Sequence, residues 1–235
     1  MIIAGPCLYI NDPSEVWETA LALKNVVDIF RCKIYGGGTT PQKYINPKDE
    51  QRLELLVKIN KEIMPVITEI HIPEQAYKLQ SLGIKSLWIG ARNSANYSLL
   101  EKISPFNGNI IIKRGPSMTI DEFIGIYDIM KMINNRKVYL IERGINTFDR
   151  LENSRWSLDL KGIIRIKHER PEIFEELIVD VSHSVGVKAW IEDHYKACKA
   201  IGIKHFMIEC TLSGKSKTDS LQMLSFKELK NIIGG

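Results

Sequence analysis

Positively charged side chains recur where short apolar runs of this sequence end. They are Arg31, Arg92, Lys113 and Arg143, with Lys33 and Arg114 beside two of them. Cations gathered in one place would repel one another unless an anion joined them, and arginine can bind phosphate or carboxylate with two hydrogen bonds. The set therefore predicts a site for a phosphate, or for a ligand with both a phosphate and a carboxylate. The alternative for any single member is a side chain that faces water or pairs with Glu69 or Glu142.

A second group of residues has the donor chemistry of a metal site. It consists of Cys7, His183, Glu209 and Asp219. Thiolate, imidazole and carboxylate together suit a divalent transition metal such as Zn²⁺, Mn²⁺ or Fe²⁺. The spacing of these residues along the sequence does not test this prediction, because they follow different apolar runs and could meet only in the folded protein. Taken one at a time, the simpler interpretation is a small buried residue for Cys7 and a hydrogen-bonded core histidine for His183.

Eight short apolar runs, alternating with amphipathic helical patterns, must position these residues. The predicted strands are 2–5, 28–35, 65–69, 86–90, 109–114, 138–141, 177–181 and 205–209. Nearly all-apolar strands are typical of a parallel sheet whose two faces are both covered. Eight strand–helix units in a chain of this length predict an α/β fold, a single (β/α)₈ TIM barrel, in preference to a doubly wound sheet. Catalytic groups of such barrels lie at the C-terminal ends of the strands, where both sets of residues fall.

Helix ends are marked by residues that can cap them. Asp12 followed by Pro13 predicts a helix start, and Thr119 with Glu122 predicts a capping box. A helix is also predicted from about residue 93. Gly202 is a typical residue for the end of a helix over 188–201.

The composition predicts a soluble globular protein of a reducing compartment. The chain has 235 residues, 44% of them hydrophobic, and a net charge of +4 without a dense basic block, which argues against nucleic-acid binding. The four cysteines lack CxxC or secreted-type spacing, and the N-terminus has no signal peptide or membrane span. We expect a cytoplasmic location, no membrane partner, and one catalytic domain over 1–235 without an appended regulatory domain.

A glycine-rich segment, RCKIYGGGTTP over 31–41, follows the second predicted strand. Its backbone can approach a ligand closely, since glycine carries no side chain. The segment matches neither the P-loop nor the dinucleotide-binding pattern. Taken alone, it is weak support for phosphate binding.

The motifs at the strand ends resemble one family in content and order. They are IIAGPC (2–7), IGARN (89–93), IIKRG (111–115), IERGINTF (141–148), VDVSHSVG (179–186), MIEC (207–210) and TDSLQML (218–224). They resemble the type I DAHP synthases and the related 3-deoxy-D-manno-octulosonate 8-phosphate synthases, and are nearest to microbial DAHP synthases with a minimal barrel. This family condenses phosphoenolpyruvate with an aldose phosphate and releases phosphate. The resemblance implies a metal-dependent, C–C bond-forming transferase that uses erythrose 4-phosphate in the first step of the shikimate pathway.

The resemblance also implies residue roles. The implied metal ligands are Cys7, His183, Glu209 and Asp219, for Mn, Zn or Fe. The implied phosphoenolpyruvate ligands are Arg92, Lys113 and Arg143 for its phosphate, and Arg31 with Lys113 for its carboxylate. Glu69 resembles a strand-three glutamate near the reacting centre, so the implied catalytic residues are Lys113, Glu69, His183 and Cys7. Thr39 and Thr40 correspond to the aldose side.

The sequence departs from the family pattern in two places. Gly36, Gly37 and Gly38 stand where the family has Lys-Pro-Arg, so two expected cations are absent. Lys33 is either a partial substitute or, more simply, an ordinary lysine at a strand end. The loop before Asp219 is one residue shorter than in the family, so Asp219 has the weakest support of the four ligands.

These departures leave alternatives open. One is a family member with a different aldehyde as its second substrate, in particular an unphosphorylated one. Another is a non-catalytic barrel that binds phosphoenolpyruvate, and a third is an unrelated metal-dependent barrel hydrolase, which would not need so many cations. A homo-oligomer, dimer or tetramer, is also expected.

Overall fold

The computed structural model describes residues 1–7, 12–35, 49–133, 137–148, 156–216 and 219–234. Its strands are β1 (Ile2–Gly5), β2 (Ile29–Arg31), β3 (Val66–Ile70), β4 (Ser86–Ile89), β5 (Asn109–Lys113), β6 (Val138–Glu142), β7 (Ile178–Asp180), β8 (His205–Thr211) and β9 (Leu224–Ser225). Its helices are α1 (Pro13–Leu23), α2 (Asp49–Glu62), α3 (Pro73–Ser81), α4 (Tyr97–Ile103), α5 (Ile120–Ile133), α6 (Leu160–Glu169), α7 (Pro171–Glu176), α8 (Ile191–Ile201) and α9 (Phe226–Gly234). A 3₁₀ turn, Lys188–Trp190, precedes α8.

The first eight strands form a closed parallel barrel. Each strand pairs with the next, and β1 closes the ring by pairing with β8, from Ile2 opposite Phe206 to Gly5 opposite Glu209. The predicted (β/α)₈ barrel is therefore confirmed. The short β9, which the sequence did not predict, pairs with Cys210 and Thr211 at the end of β8.

The predicted helix ends are formed by the expected hydrogen bonds. Asp12 accepts from the backbone N–H of Ser14 over 2.8 Å, and Thr119 and Glu122 bond reciprocally. Gly202 ends α8 with a φ of 109°, a left-handed conformation that favours glycine. The prediction of a helix from about residue 93 was wrong by one turn. The Asn96 side chain accepts from the N–H of Leu99 and so fixes the start of α4 at Tyr97.

The barrel interior is built in layers. Its floor contains one apolar residue from each strand, namely Ile3, Ile29, Ile67, Trp88, Ile111, Ile141, Ile178 and Met207. Side chains alternate along a strand, so the residues two positions further on also point into the barrel. We call this next ring the charged layer, and it consists of Gly5, Arg31, Glu69, Gly90, Lys113, Arg143, Asp180 and Glu209. It lies toward the C-terminal ends of the strands.

The opposite faces of the strands pack against the surrounding helices. Phe30, Phe123 and Phe206 are fully buried in this outer core. Within the part of the chain that the structure describes, no helix is long and apolar enough to cross a membrane. Inside the barrel, the charged side chains therefore lie beyond the apolar floor, toward the C-terminal ends of the strands.

Candidate active site at the carboxyl end of the barrel

The charged layer holds equal numbers of positive and negative side chains. Its members are the cations Arg31, Lys113 and Arg143 and the carboxylates Glu69, Asp180 and Glu209. The sequence prediction that clustered cations need an anionic ligand was therefore incomplete, because buried carboxylates already compensate much of the charge. The two glycines of the layer make room for the others. A Cβ atom at Gly90 would lie 2.1 Å from Glu69 Oε1, and one at Gly5 would lie 2.2 Å from the carbonyl oxygen of Arg31.

The structure brings Cys7, His183, Glu209 and Asp219 together. One ligand atom from each lies within 4.8 Å of the others. Cys7 Sγ donates to Asp219 Oδ2 over 3.2 Å, and His183 Nε2 lies 3.3 Å from Glu209 Oε1 and 3.9 Å from Cys7 Sγ. Four residues from three strand ends and one loop thus converge on one point, as the metal prediction requires.

The cluster fits a divalent transition metal. Glu209 Oε1 is buried and has no hydrogen-bond partner among the residues that the structure describes. Burial, and then the charge of Glu209, raise the pKa of the Cys7 thiol well above its usual value, so a cation would compete with a proton for this sulfur. A donor set of sulfur, nitrogen and oxygen suits zinc, iron or manganese, and the geometry does not select one of them.

Asp180 lies between the four candidate metal ligands and the cations of the charged layer, and the sequence analysis did not propose it. This fully buried carboxylate accepts from Lys113 Nζ over 2.9 Å and from the backbone N–H of His183 over 3.0 Å, and it lies 2.8 Å from His183 Nδ1. Burial raises the pKa of Asp180, but His183 and Lys113 lower it more, so it lies well below its usual value. An ionised Asp180 only accepts hydrogen bonds, so Nδ1 carries the proton and Nε2 presents a lone pair to the cluster.

Arg31 is fully buried against the indole of Trp88. Its guanidinium carbon lies 5.3 Å from the ring centroid, and Nη2 lies 3.2 Å from Glu209 Oε1. Burial lowers the pKa of Arg31, but Glu209, Cys7 and Asp180 together raise it by more, so the residue stays charged. Nε and Nη1 have no hydrogen-bond partner within the described ranges. A buried donor left unsatisfied costs about 1–3 kcal/mol, so this side chain is prepared to bind an anion.

Lys113 shares the Trp88 platform with Arg31. Its Nζ lies 5.5 Å from the ring centroid and is 2.9 Å from Asp180. Burial lowers the pKa of Lys113, and the attraction of Asp180 offsets only part of that effect. A lysine with a lowered pKa exchanges its proton more readily near neutral pH.

Two further polar groups hold Glu209 in place. Gln222 Nε2 donates to Glu209 Oε2 over 2.5 Å, and the backbone N–H of Glu209 donates to Ser182 Oγ over 2.8 Å. The sequence analysis gave neither residue a role, although each lies within a quoted motif. Both could have been suspected from the sequence, because Ser182 is next to His183 and Gln222 is three residues from Asp219.

A second acidic group lies at the ends of β2 and β3. Glu69 Oε2 is 3.0 Å from Lys33 Nζ, and Glu69 Oε1 is 3.9 Å from His71 Nδ1. Burial raises the pKa of Glu69, but Lys33, His71 and Lys113 together lower it by more, so the carboxylate stays ionised. The side chains of Lys33 and Glu69 are 12% and 15% exposed, so solvent reaches this pair but not Asp180.

The remaining predicted cations differ in their surroundings. Arg143 is buried, with its guanidinium carbon 4.9 Å from the Trp156 ring, whereas Arg92 is exposed at the rim. Arg114 pairs with Glu142 over 2.7 Å and Asp159 over 2.8 Å, which is the ordinary ion pairing left open for it. Gly36, Gly37, Gly38, Thr39 and Thr40 lie outside the described residues.

Comparison with known proteins identifies the family of the chain. The family model described as the DAHP synthetase I family matches residues 1–233. This chain belongs to the DAHP synthetase I family. The resemblance found in the sequence motifs is thereby confirmed.

Members of this family and related enzymes show graded similarity. A phospho-2-dehydro-3-deoxyheptonate aldolase of Thermotoga maritima is 30% identical over 235 residues, which cover 99% of this chain and 67% of that protein. A 2-dehydro-3-deoxyphosphooctonate aldolase of Legionella pneumophila is 23% identical over 228 residues, or 88% of this chain and 79% of that one.

Solved structures of the Thermotoga protein share the fold. A crystal structure of its DAHP synthase has a TM-score of 0.85 and 29% identity, covering 100% of this chain and 66% of that one. A truncated form of the Thermotoga 3-deoxy-D-arabino-heptulosonate 7-phosphate synthase has a TM-score of 0.83 and 30% identity, covering 100% of this chain and 84% of that one. The chain thus spans about two thirds of its full-length Thermotoga relative.

Proposed function

We propose that this chain condenses phosphoenolpyruvate with an aldose phosphate, releases inorganic phosphate and acts as a DAHP synthase with erythrose 4-phosphate. Family membership supports this activity. The observation that carries it is Arg31, a buried guanidinium with two unsatisfied donors in a layer of compensating charges. A non-catalytic barrel would gain nothing from that costly arrangement unless it bound the same anion.

The cations would hold phosphoenolpyruvate by its two anionic ends. Nε and Nη1 of Arg31 are both without a hydrogen-bond partner within the described residues and can each donate to an anion, and Lys113 lies on the same indole platform. Arg143 and Arg92 would hold the phosphate group with help from Lys113. Phosphoenolpyruvate and the aldose phosphate are both anions and repel each other. Holding them side by side removes much of the entropic and electrostatic barrier to their reaction.

A divalent metal would be held by Cys7, His183, Glu209 and Asp219. When bound, it supplies Lewis-acid polarisation of the aldehyde carbonyl or orientation of a water molecule. The protein positions that chemistry through Asp180, which fixes the ring of His183, and through Gln222, which fixes Glu209.

The reaction forms one C–C bond and, at C2, replaces the C–O bond to phosphate with a C–O bond to a water oxygen. C3 of phosphoenolpyruvate attacks the aldehyde carbon, whose oxygen gains a proton, and positive charge develops at C2. Water adds to C2 and loses a proton, and the hydroxyl of the resulting hemiketal phosphate then loses its proton to become the keto group as phosphate leaves with its bridging oxygen. Lys113 and Glu69 border the space where the two substrates would react, and they can donate or accept the protons that these steps move. The cations stabilise the departing dianion.

A phosphate-release assay tests the proposal. The enzyme is incubated with phosphoenolpyruvate, Mn²⁺ or Zn²⁺, and a panel of aldoses that includes erythrose 4-phosphate. We expect turnover that a chelator abolishes. Arg31→Lys, which keeps the charge but loses the fork of donors, should raise the KM for phosphoenolpyruvate at least tenfold. The matched control is Arg165→Lys, a surface arginine paired with Asp121. Failure to release phosphate with any aldose, despite bound metal, would overturn the enzymatic proposal.

The finer predictions are extensions of this proposal. The choice among Mn, Zn and Fe, assembly into a dimer or tetramer, one domain over 1–235 and a cytoplasmic location all stay predictions. Metal analysis of the purified protein and light scattering test the first two directly.

A further inference from the structure

We propose that Lys33 and Glu69 together bind hydroxyl groups of the aldehyde substrate. This pair would then recognise the hydroxyl-bearing carbon chain of the second substrate and not its phosphate group. The inference deepens the proposed function and rests on it. The ion pair itself, 3.0 Å between Lys33 Nζ and Glu69 Oε2, is its structural basis.

Lys33 lies two residues beyond Arg31, the last residue of β2. Its two neighbours, Cys32 and Ile34, are buried in the outer core, so Lys33 faces the barrel interior one step nearer the mouth than Arg31. Its contact with Glu69, a member of the charged layer, agrees with that direction. A ligand that entered from the mouth would therefore meet Lys33 before it reached Arg31.

Glu69 is held where it can serve as an acceptor. Its carboxylate occupies the space left by Gly90, where a Cβ atom would lie only 2.1 Å from Oε1. A second polar neighbour is His71, just after β3, whose Nδ1 lies 3.9 Å from the same oxygen. The carboxylate is thus fixed between a lysine and an imidazole, and it remains partly open to solvent.

The charge balance of the pair favours hydroxyl groups over phosphate. Lys33 supplies three N–H donors and Glu69 supplies carboxylate lone pairs, and a hydroxyl group can use both kinds of partner at once. A phosphate dianion placed against Lys33 would also lie close to the Glu69 carboxylate, and the two would repel each other. Neutral, hydroxyl-bearing carbons are therefore the better match for this pair.

The test compares Lys33→Met with the wild type on aldoses that differ in one feature at a time. Erythrose 4-phosphate, erythrose and a deoxy analogue of each are assayed for phosphate release with saturating phosphoenolpyruvate. We expect Lys33→Met to raise the KM for both erythroses about tenfold, to have little effect on the deoxy analogues and to leave the KM for phosphoenolpyruvate unchanged. Lys33→Arg, which keeps a cationic donor, should recover most of the loss.

Controls separate binding from folding. Lys78→Met removes the lysine of a surface pair with Glu50 and should change no kinetic constant. The double variant Lys33→Met with Glu69→Gln removes both charges of the pair, so it should fold and still bind aldose poorly. Calorimetric titration of each aldose into metal-free enzyme with phosphoenolpyruvate gives a readout that does not depend on turnover.

The outcomes distinguish this inference from the proposed function. A loss confined to phosphorylated aldoses, an unchanged aldose KM, or a raised KM for phosphoenolpyruvate would overturn the role of Lys33 while the enzymatic proposal stands. A wild-type enzyme that neither binds nor converts any aldose would overturn both.

Discussion

Asp180 offers a sharp test of how the candidate site is organised. Replacement by asparagine keeps the size of the side chain and removes its charge. The fully buried carboxylate accepts from Lys113 over 2.9 Å and lies 2.8 Å from His183 Nδ1. The variant therefore leaves a buried lysine without its counter-ion and changes what the imidazole can bond to.

The expected magnitudes follow from these two contacts. Removal of one partner of a buried ion pair costs about 3–5 kcal/mol of unfolding free energy. The amide nitrogen of asparagine can donate to Nδ1, which places the imidazole proton on Nε2, the nitrogen that faces the metal cluster. Loss of such a supporting carboxylate weakens metal binding about 10–100-fold.

Two measurements separate these effects. Urea unfolding of the metal-free protein gives the stability change, and competition with a fluorescent chelator gives the Zn²⁺ affinity. Asp121→Asn, which removes an exposed carboxylate paired with Arg165, is the control and should alter the metal affinity less than twofold. Unchanged Zn²⁺ affinity in a folded Asp180→Asn protein would refute the argument that Asp180 orients His183.

Three further substitutions, one of them in a pH series, extend the test. Gly90→Ala places a Cβ 2.1 Å from the Glu69 carboxylate and so forces that carboxylate to move. We expect a higher KM for the aldose and an unchanged KM for phosphoenolpyruvate. An equal rise in both KM values would contradict a role of Glu69 in aldose binding. Burial and Glu209 raise the pKa of the Cys7 thiol, so metal affinity in wild type should increase about tenfold per pH unit between about pH 6 and 8, and Cys7→Ser should flatten that slope. Ser225→Ala removes a hydroxyl that accepts from the N–H of Glu228 at the start of α9, and it should cost about 1 kcal/mol of stability without any change in kinetics.

Much of the fold could be predicted because its signals are local. Alternating apolar runs and capping residues such as Asp12 and Gly202 specify strands and helices within a few residues of themselves. Eight successive strand–helix units then predict that the strands pair in chain order and close into a barrel. β9 was missed, since a two-residue strand has no periodicity to detect.

The site was predicted in part, because chemistry-bearing residues stand at strand ends. The four candidate metal ligands were proposed from residue type and motif, and the structure places them together. The role of Asp180 and the platform of Trp88 were not found, since both depend on which residues share a layer of the barrel. That layer follows from the pairing register: Asp180 lies two positions beyond Ile178, a residue of the apolar floor. A one-residue error in any strand reverses the assignment.

Product analysis with isotopically labelled phosphoenolpyruvate tests the central claim most directly. The enzyme, loaded with Mn²⁺, is given erythrose 4-phosphate and phosphoenolpyruvate that carries ¹⁸O in the bridging oxygen, and the products are examined by mass spectrometry. The proposed reaction predicts a seven-carbon keto acid phosphate in equal amount to ¹⁸O-labelled inorganic phosphate. Absence of a seven-carbon product, or label that stays in the organic product, would contradict it.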